Sequence, residues 1–168
     1  MNTLSETTYY TTVASPLGEL LLTADAAGAL TSLSVPGQKG GRTIEGLRGG
    51  PVRDPARFAA LTDQLDAYFA GELKEFDVAV RPQGTEFRRR VWAALDEVPY
   101  GATTTYGAVA ARIGASGVAV RAVGGAIGAN PLLIVRPCHR VIGAGGALTG
   151  YAGGLERKVS LLTLEGSL

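Results

Sequence analysis

Cysteine and histidine are nearly missing from this chain of 168 residues, which holds one of each. A single cysteine excludes an internal disulfide, and one Cys with one His cannot alone build a Cys/His zinc site. No apolar run nears the ~20 residues needed to span a bilayer. The polar stretch Met1 to Thr12 also lacks the basic-then-apolar order of a secretory leader. These absences point to a cytoplasmic protein with no membrane partner and no metal. Charge is scarce too, at 18%, but apolar residues reach 46%, which excludes a mainly disordered chain. One absence is local: no Asp or Glu occurs from Val98 to Leu155, whereas Arg112, Arg121, Arg136 and Arg140 do. A surface free of carboxylates suits a polyanionic partner, because acids there would repel phosphates. A Gly/Ala-rich region that merely lacks acids would look the same.

What is present divides the chain in two. Residues 1–80 carry 6 basic and 10 acidic side chains, and residues 81–168 carry 10 and 5. The first part reads as strands at Tyr9 to Ala14, Glu19 to Ala24 and Ala29 to Val35, with a turn at Ser15-Pro16-Leu17-Gly18 between the first two. Gly37 to Pro51 reads as a loop. A helix follows, with Asp54 as N-cap, Pro55 at its first position, an apolar face of Phe58, Leu61, Leu65, Tyr68 and Phe69, and Gly71 at its end. Phe76 to Val80 is a further candidate strand.

Past Arg81-Pro82-Gln83-Gly84 the pattern becomes helical. Thr85 caps a helix with a stripe of Phe87, Val91, Trp92, Leu95 and Val98, stopped by Pro99. Threonines 103–105 cap a second helix, with Tyr106, Val109, Ala110 and Ile113 on one face. After a turn at Gly114 to Gly117, a third helix from Val118 to about Gly128 is expected to bury Val118, Ala122, Val123, Ala126 and Ile127. Two short helices joined this way match a helix-turn-helix, whose second helix meets DNA. The opposite face of that helix shows Arg121, Gly124, Gly125 and Gly128. Interior glycines cost on the order of 1 kcal/mol each against alanine. Either close approach to a groove or tight packing on a neighbouring helix would account for them.

The sole cysteine and sole histidine are adjacent, in Arg136-Pro137-Cys138-His139-Arg140. A thiol between two arginines is in a setting that favours thiolate. Side chains adjacent on a strand point to opposite sides, so the pair needs a bend or a water to communicate. Glu165 is an acidic candidate to orient the histidine.

Pro137-Cys138-His139-Arg140-Val141 resembles the active-site signature of the O6-alkylguanine-DNA alkyltransferases, the methylated-DNA–protein-cysteine methyltransferases. The resemblance extends over about residues 85–166. Phe87 to Trp92 with Pro99-Tyr100-Gly101 is similar to the start of the family's C-terminal domain. Thr105-Tyr106-Gly107 carries its active-site tyrosine, Arg121-Ala122-Val123-Gly124 its arginine finger and Asn130-Pro131 its asparagine hinge. Gly150-Tyr151-Ala152-Gly153-Gly154 is similar to its active-site loop, and Leu164-Glu165-Gly166 supplies its glutamate.

The resemblance implies an α+β protein. A small N-terminal α/β domain of ribonuclease H-like type, residues 1–80, would precede a mostly helical C-terminal domain with a winged helix-turn-helix, residues 85–168. It implies repair of alkylated double-stranded DNA by transfer of the alkyl group to Cys138, without a cofactor and as a monomer. His139, acting through water, would take the thiol proton, Glu165 would orient the histidine, Tyr106 would protonate the departing base, and Asn130 would complete the catalytic set. Arg121, Ala122, Gly124, Gly125 and Arg140 would meet DNA, with Arg121 replacing a flipped nucleotide. Carbonyls of Cys138 and Val141 would receive the guanine amine, and Tyr151 and Ala152 would wall the pocket.

Arg136 departs from the family, which is often aliphatic before the proline. It is expected to add a phosphate contact or a surface charge. A DNA-binding regulator would explain the helix-turn-helix but leave Cys138, His139 and Glu165 unused. A cysteine hydrolase would leave Arg121 unused, and a lesion-binding protein without transfer would be expected to lack the cysteine. Lesion preference and cooperative binding along DNA stay open.

Overall fold

The computed structural model describes residues 7–168, so the first six residues of the polar N-terminal stretch lie outside the described residues. The chain divides into two compact units between Gln83 and Gly84. Among the described residues no helix is long and apolar enough to cross a membrane.

The first unit is built on a four-stranded sheet in the order β3-β2-β1-β4. Strands β1 (Tyr9–Val13), β2 (Leu20–Ala24) and β3 (Leu30–Ser34) form an antiparallel meander. The Ser15 hydroxyl ties the first turn, accepting from the Leu17 amide at 3.1 Å and donating to the Gly18 carbonyl at 2.6 Å. Strand β4 (Val52–Arg53) joins parallel to β1, with Val52 opposite Tyr9. Only two residues long, it carries no periodic signal of its own. Every residue of β2 is buried, as befits a central strand.

Two expectations need correction here. Asp54 does not cap the helix with its side chain: Pro55–Phe58 forms a 3-10 turn ahead of helix α1 (Ala59–Phe69), and the Asp54 carboxylate accepts from Arg57 Nε at 3.1 Å. Phe76 to Val80 is not a strand either, but a single parallel bridge between Leu30 and Val80. The Gln64 amide takes the place of a partner strand there, donating to the Asp77 carbonyl at 3.0 Å and accepting the Asp77 amide at 2.7 Å. Phe76 meanwhile packs on the Tyr68 ring at 5.2 Å.

The second unit is helical. Helix α2 (Glu86–Leu95) begins as expected, with Thr85 Oγ1 accepting from the Arg88 amide at 3.1 Å. It ends at Leu95, short of Pro99: the Val98 amide closes a last turn on the Leu95 carbonyl, and Pro99 has no N–H with which to continue. Helices α3 (Tyr106–Arg112) and α4 (Ala119–Gly128) pack on α2 and on each other. Trp92 fills the space between α2 and α4, and its indole Nε1 donates to the Ala126 carbonyl at 2.8 Å. A Cβ on Gly84 would lie 2.5 Å from that indole, so only glycine fits there.

Thr105 caps α3 through the Ala108 amide at 3.0 Å. Helix α4 starts one residue later than its pattern suggests, leaving Val118 94% exposed as the N-cap residue, and Ala122 is exposed as well. The buried stripe narrows to Val123, Ala126 and Ile127. Two short strands, β5 (Thr104–Thr105) and β6 (Val141–Ile142), pair in parallel, β5 leading directly into α3. This pairing sets the start of α3 beside the segment that follows Cys138. Helix α5 (Leu155–Leu164) closes the unit.

Candidate active site

Helix α4 ends at Gly128, and the chain from Asn130 to Ile142 builds the site. Asn130 is buried and directs its side chain into the loop that follows. Its amide Oδ1 accepts from the Leu132 amide at 3.0 Å, and its Nδ2 donates to the Leu132 carbonyl at 3.3 Å. The loop turns sharply enough to hold Ile134, buried and β-branched, at φ 72°. That conformation costs on the order of 1–3 kcal/mol and persists only where its surroundings enforce it.

Cys138–Arg140 is a 3-10 turn and not a strand. Successive side chains in such a turn are about 120° apart. Cys138 and His139 therefore need not point to opposite sides.

The Cys138 sulfur accepts from Asn130 Nδ2 at 3.2 Å. The side chain is buried, and burial pushes the thiol up to about 11 from an ordinary value of 9.0. The Asn130 hydrogen bond and the positive charges of Lys158 and Arg136 only partly oppose this. The expected resting thiolate is thus corrected. The flanking arginines are spent on carboxylates, and desolvation dominates. The proton must leave as the sulfur reacts.

His139 and Glu165 are fully buried side chains, with His139 Nε2 2.8 Å from Glu165 Oε2. Arg140 Nε donates to Glu165 Oε1 at 2.7 Å and its Nη2 to Oε2 at 3.0 Å. Burial lowers the His139 value below 6.5, so the imidazole is neutral, even though Glu165 pulls the other way. A neutral ring facing a carboxylate carries its hydrogen on Nε2. Nδ1 is then a lone pair, and no partner contacts it among the described residues. It is the basic atom of the site.

Arg140 does not fit the expected DNA contact. It is 7% exposed, committed to Glu165 and to the Val98 carbonyl at 2.6 Å, and lies over the Tyr100 ring. Arg136 likewise makes no phosphate contact or surface charge. It is 6% exposed and pairs with Asp96.

The remaining residues form the rim. Tyr106 is half-buried at the start of α3, its hydroxyl donating to the Thr149 carbonyl at 3.4 Å. Tyr151 and Ala152 lie on the same loop, half-buried, and the Tyr151 ring stands edge-on to His139 with 6.5 Å between centroids. Lys158 anchors that loop from α5. Its buried ammonium donates to the carbonyls of Val141 (2.5 Å), Thr149 (2.8 Å) and Gly150 (3.1 Å). The Cys138 carbonyl accepts the Val141 amide, so each of the two carbonyls expected to meet a guanine amine keeps one lone pair.

Outside the pocket, α4 turns Arg121 to solvent. A Cβ built on Gly125 or Gly128 would meet nothing within 4 Å, and one on Gly124 only Tyr106 at 4.0 Å. Packing on a neighbouring helix therefore does not explain these glycines; the face is open. Gly125→Ala is expected to raise stability by about 0.5–1 kcal/mol in denaturant unfolding. A loss of stability would show that the face is packed after all.

Three residues of the site were not singled out for these roles. Lys158 was visible in principle, as the lysine at the i, i+3, i+4 spacing of a stripe with Leu161 and Leu162. The partnership of Arg136 with Asp96, 40 residues away, had no local signal.

Comparisons with known proteins place both units. The family description "6-O-methylguanine DNA methyltransferase, DNA binding domain" matches residues 86–167, and "6-O-methylguanine DNA methyltransferase, ribonuclease-like domain" matches residues 8–82. A methylated-DNA–protein-cysteine methyltransferase of Mycolicibacterium paratuberculosis is 54% identical over 156 residues, 93% of this chain and 91% of its own length. One from Methanosarcina acetivorans is 51% identical over 159 residues, 95% and 99% of the two chains. The crystal structure of Mycobacterium tuberculosis OGT in complex with DNA superposes with a TM-score of 0.84 at 52% identity, covering 95% of this chain and 93% of that one.

Proposed function

Because the chain belongs to the 6-O-methylguanine DNA methyltransferase family, we propose that it repairs duplex DNA by moving the alkyl group of O6-alkylguanine onto its own Cys138. O4-alkylthymine is a second substrate of the same chemistry. The observation that carries this reading is the continuous set Asn130–Cys138 and His139–Glu165–Arg140, buried together at one turn. The domain of residues 85–168 does the work on DNA, and that of residues 1–80 is structural. The protein acts as a cytoplasmic monomer.

The sulfur attacks the alkyl carbon, forming an S–C bond as the C–O bond breaks. With the thiol pushed up to about 11, a base must take its proton during attack. His139 Nδ1 receives it through a water, and Glu165 and Arg140 balance the imidazolium that forms. At the other end, Tyr106 donates its phenolic proton to the guanine ring nitrogen, so that no purine anion is expelled. The remaining lone pairs of the Cys138 and Val141 carbonyls accept the guanine amine, and Tyr151 and Ala152 wall the base.

A base inside a duplex cannot reach a buried sulfur, so the nucleotide leaves the stack. Arg121 fills its place. The bare face of Gly124 and Gly125, with Ala122 exposed beside it, lets α4 sit close in the minor groove. Atoms balance without a cofactor. They also leave a thioether that no group in the site can cleave.

The test is a titration. A fixed amount of protein should clear O6-methylguanine from duplex DNA until one lesion is lost per molecule, and then stop. Removal continuing beyond one per molecule would contradict the reading.

A further inference from the structure

We infer that Arg136 is a positioning residue for transfer: its guanidinium, anchored on Asp96, locks the Asn130 amide with its NH2 group on the Cys138 sulfur. This rests on the reading of Cys138 as the alkyl acceptor. Arg136 Nε and Nη2 hold the two Asp96 oxygens at 3.1 and 3.4 Å, and Nη1 reaches Asn130 Oδ1 at 3.3 Å. Its guanidinium carbon lies 5.3 Å over the Trp92 ring, which fixes the plane of the fork.

A guanidinium can only donate. With the Leu132 amide, it makes two donors that demand an acceptor at the same atom, so Oδ1 must face them. Nδ2 is then left to face sulfur. A flipped amide would aim a lone pair at the sulfur and oppose the negative charge that builds there during attack. Stability alone would not call for this arrangement, because an arginine buried against a half-exposed Asp96 does little better than an apolar side chain. An aliphatic residue could fill the volume, but it would leave the amide orientation to Leu132 alone and place no cation near the thiol.

The charged and titratable groups around that thiol come from several elements. Lys158 on α5 and Arg136 favour the thiolate. Asp96, after α2, holds Arg136 in place. Arg140 and Glu165 neutralise each other beside a neutral His139, and Tyr106 and Tyr151 complete the site. Removing the Arg136 charge must therefore raise the thiol midpoint.

The test reads the sulfur directly, through the pH dependence of alkylation by iodoacetamide at the chain's sole cysteine. Methyl transfer from duplex DNA is measured beside it. Arg136→Met should move the midpoint up by about one unit and slow both reactions about tenfold at neutral pH, with recovery at alkaline pH. Asp96→Asn, which frees the fork from its anchor, should move it up as well, by less. An unchanged midpoint in Arg136→Met overturns the inference, whatever happens to the transfer rate. If that variant does not fold, Asp96→Asn decides: its side chain is half-exposed, and a midpoint that fails to rise overturns the inference equally. Iodoacetamide needs no DNA, so a failure of the transfer reading would show separately, as absent methylation with the midpoints still ordered this way.

Discussion

Glu165→Gln is expected to cost about 3–5 kcal/mol of stability, because it leaves the Arg140 guanidinium buried without its carboxylate. Its effect on chemistry follows from the same donors. Arg140 donates to both carboxylate oxygens, and His139 shares the second of them. Whichever way the new amide turns, its NH2 group faces an Arg140 N–H, and no negative charge is left to balance an imidazolium. The base of the site is weakened. Transfer should fall on the order of 10²–10⁴-fold, the usual worth of a positioned base. Denaturant unfolding and single-turnover transfer on one preparation check both halves. A stable variant with near-normal transfer would remove Glu165 from the mechanism. The buried imidazole also sets a pH trend. Its folded value lies below 6.5, so the unfolded chain binds more protons there, and stability present above about pH 6.5 is lost as pH falls.

Cys138→Ser should abolish transfer while leaving binding to duplex DNA intact. The hydroxyl fits the space and keeps the Asn130 hydrogen bond, so the fold should lose only about 1 kcal/mol. As a nucleophile it is far weaker at neutral pH, and removing a nucleophile can cost on the order of a million-fold. Thermal unfolding and duplex affinity would establish that the variant is intact. Measurable methylation of that intact variant would mean that another atom accepts the alkyl group.

Local chemistry made much of this legible in the sequence. Ser15-Pro16-Leu17-Gly18 marks a turn through its own side chain, and Thr85 and Thr105 cap the helices that follow them. The adjacency of the sole cysteine and histidine singles out Cys138 and His139, with Glu165 as the acidic candidate beside them, and the structure sets Glu165 against the turn that carries the pair. What was misread depended on distant partners. Phe76 to Val80 has strand composition, but Gln64 occupies its backbone. Arg136 and Arg140 look like a basic patch, yet each is neutralised by a carboxylate 40 or 25 residues away. The same burial turns an apparently activated thiol into a reluctant one. Val118 and Ala122 were misplaced because a periodic pattern does not mark where the first turn of a helix begins.

The most direct measurement is the intact mass of the protein before and after mixing with excess duplex bearing one O6-methylguanine, followed by peptide mapping. The whole population should gain the mass of one methyl group, carried on the peptide that contains Cys138, while the duplex recovers ordinary guanine. Loss of the lesion with the protein mass unchanged, or a methyl group mapped to any other residue, would contradict transfer to Cys138.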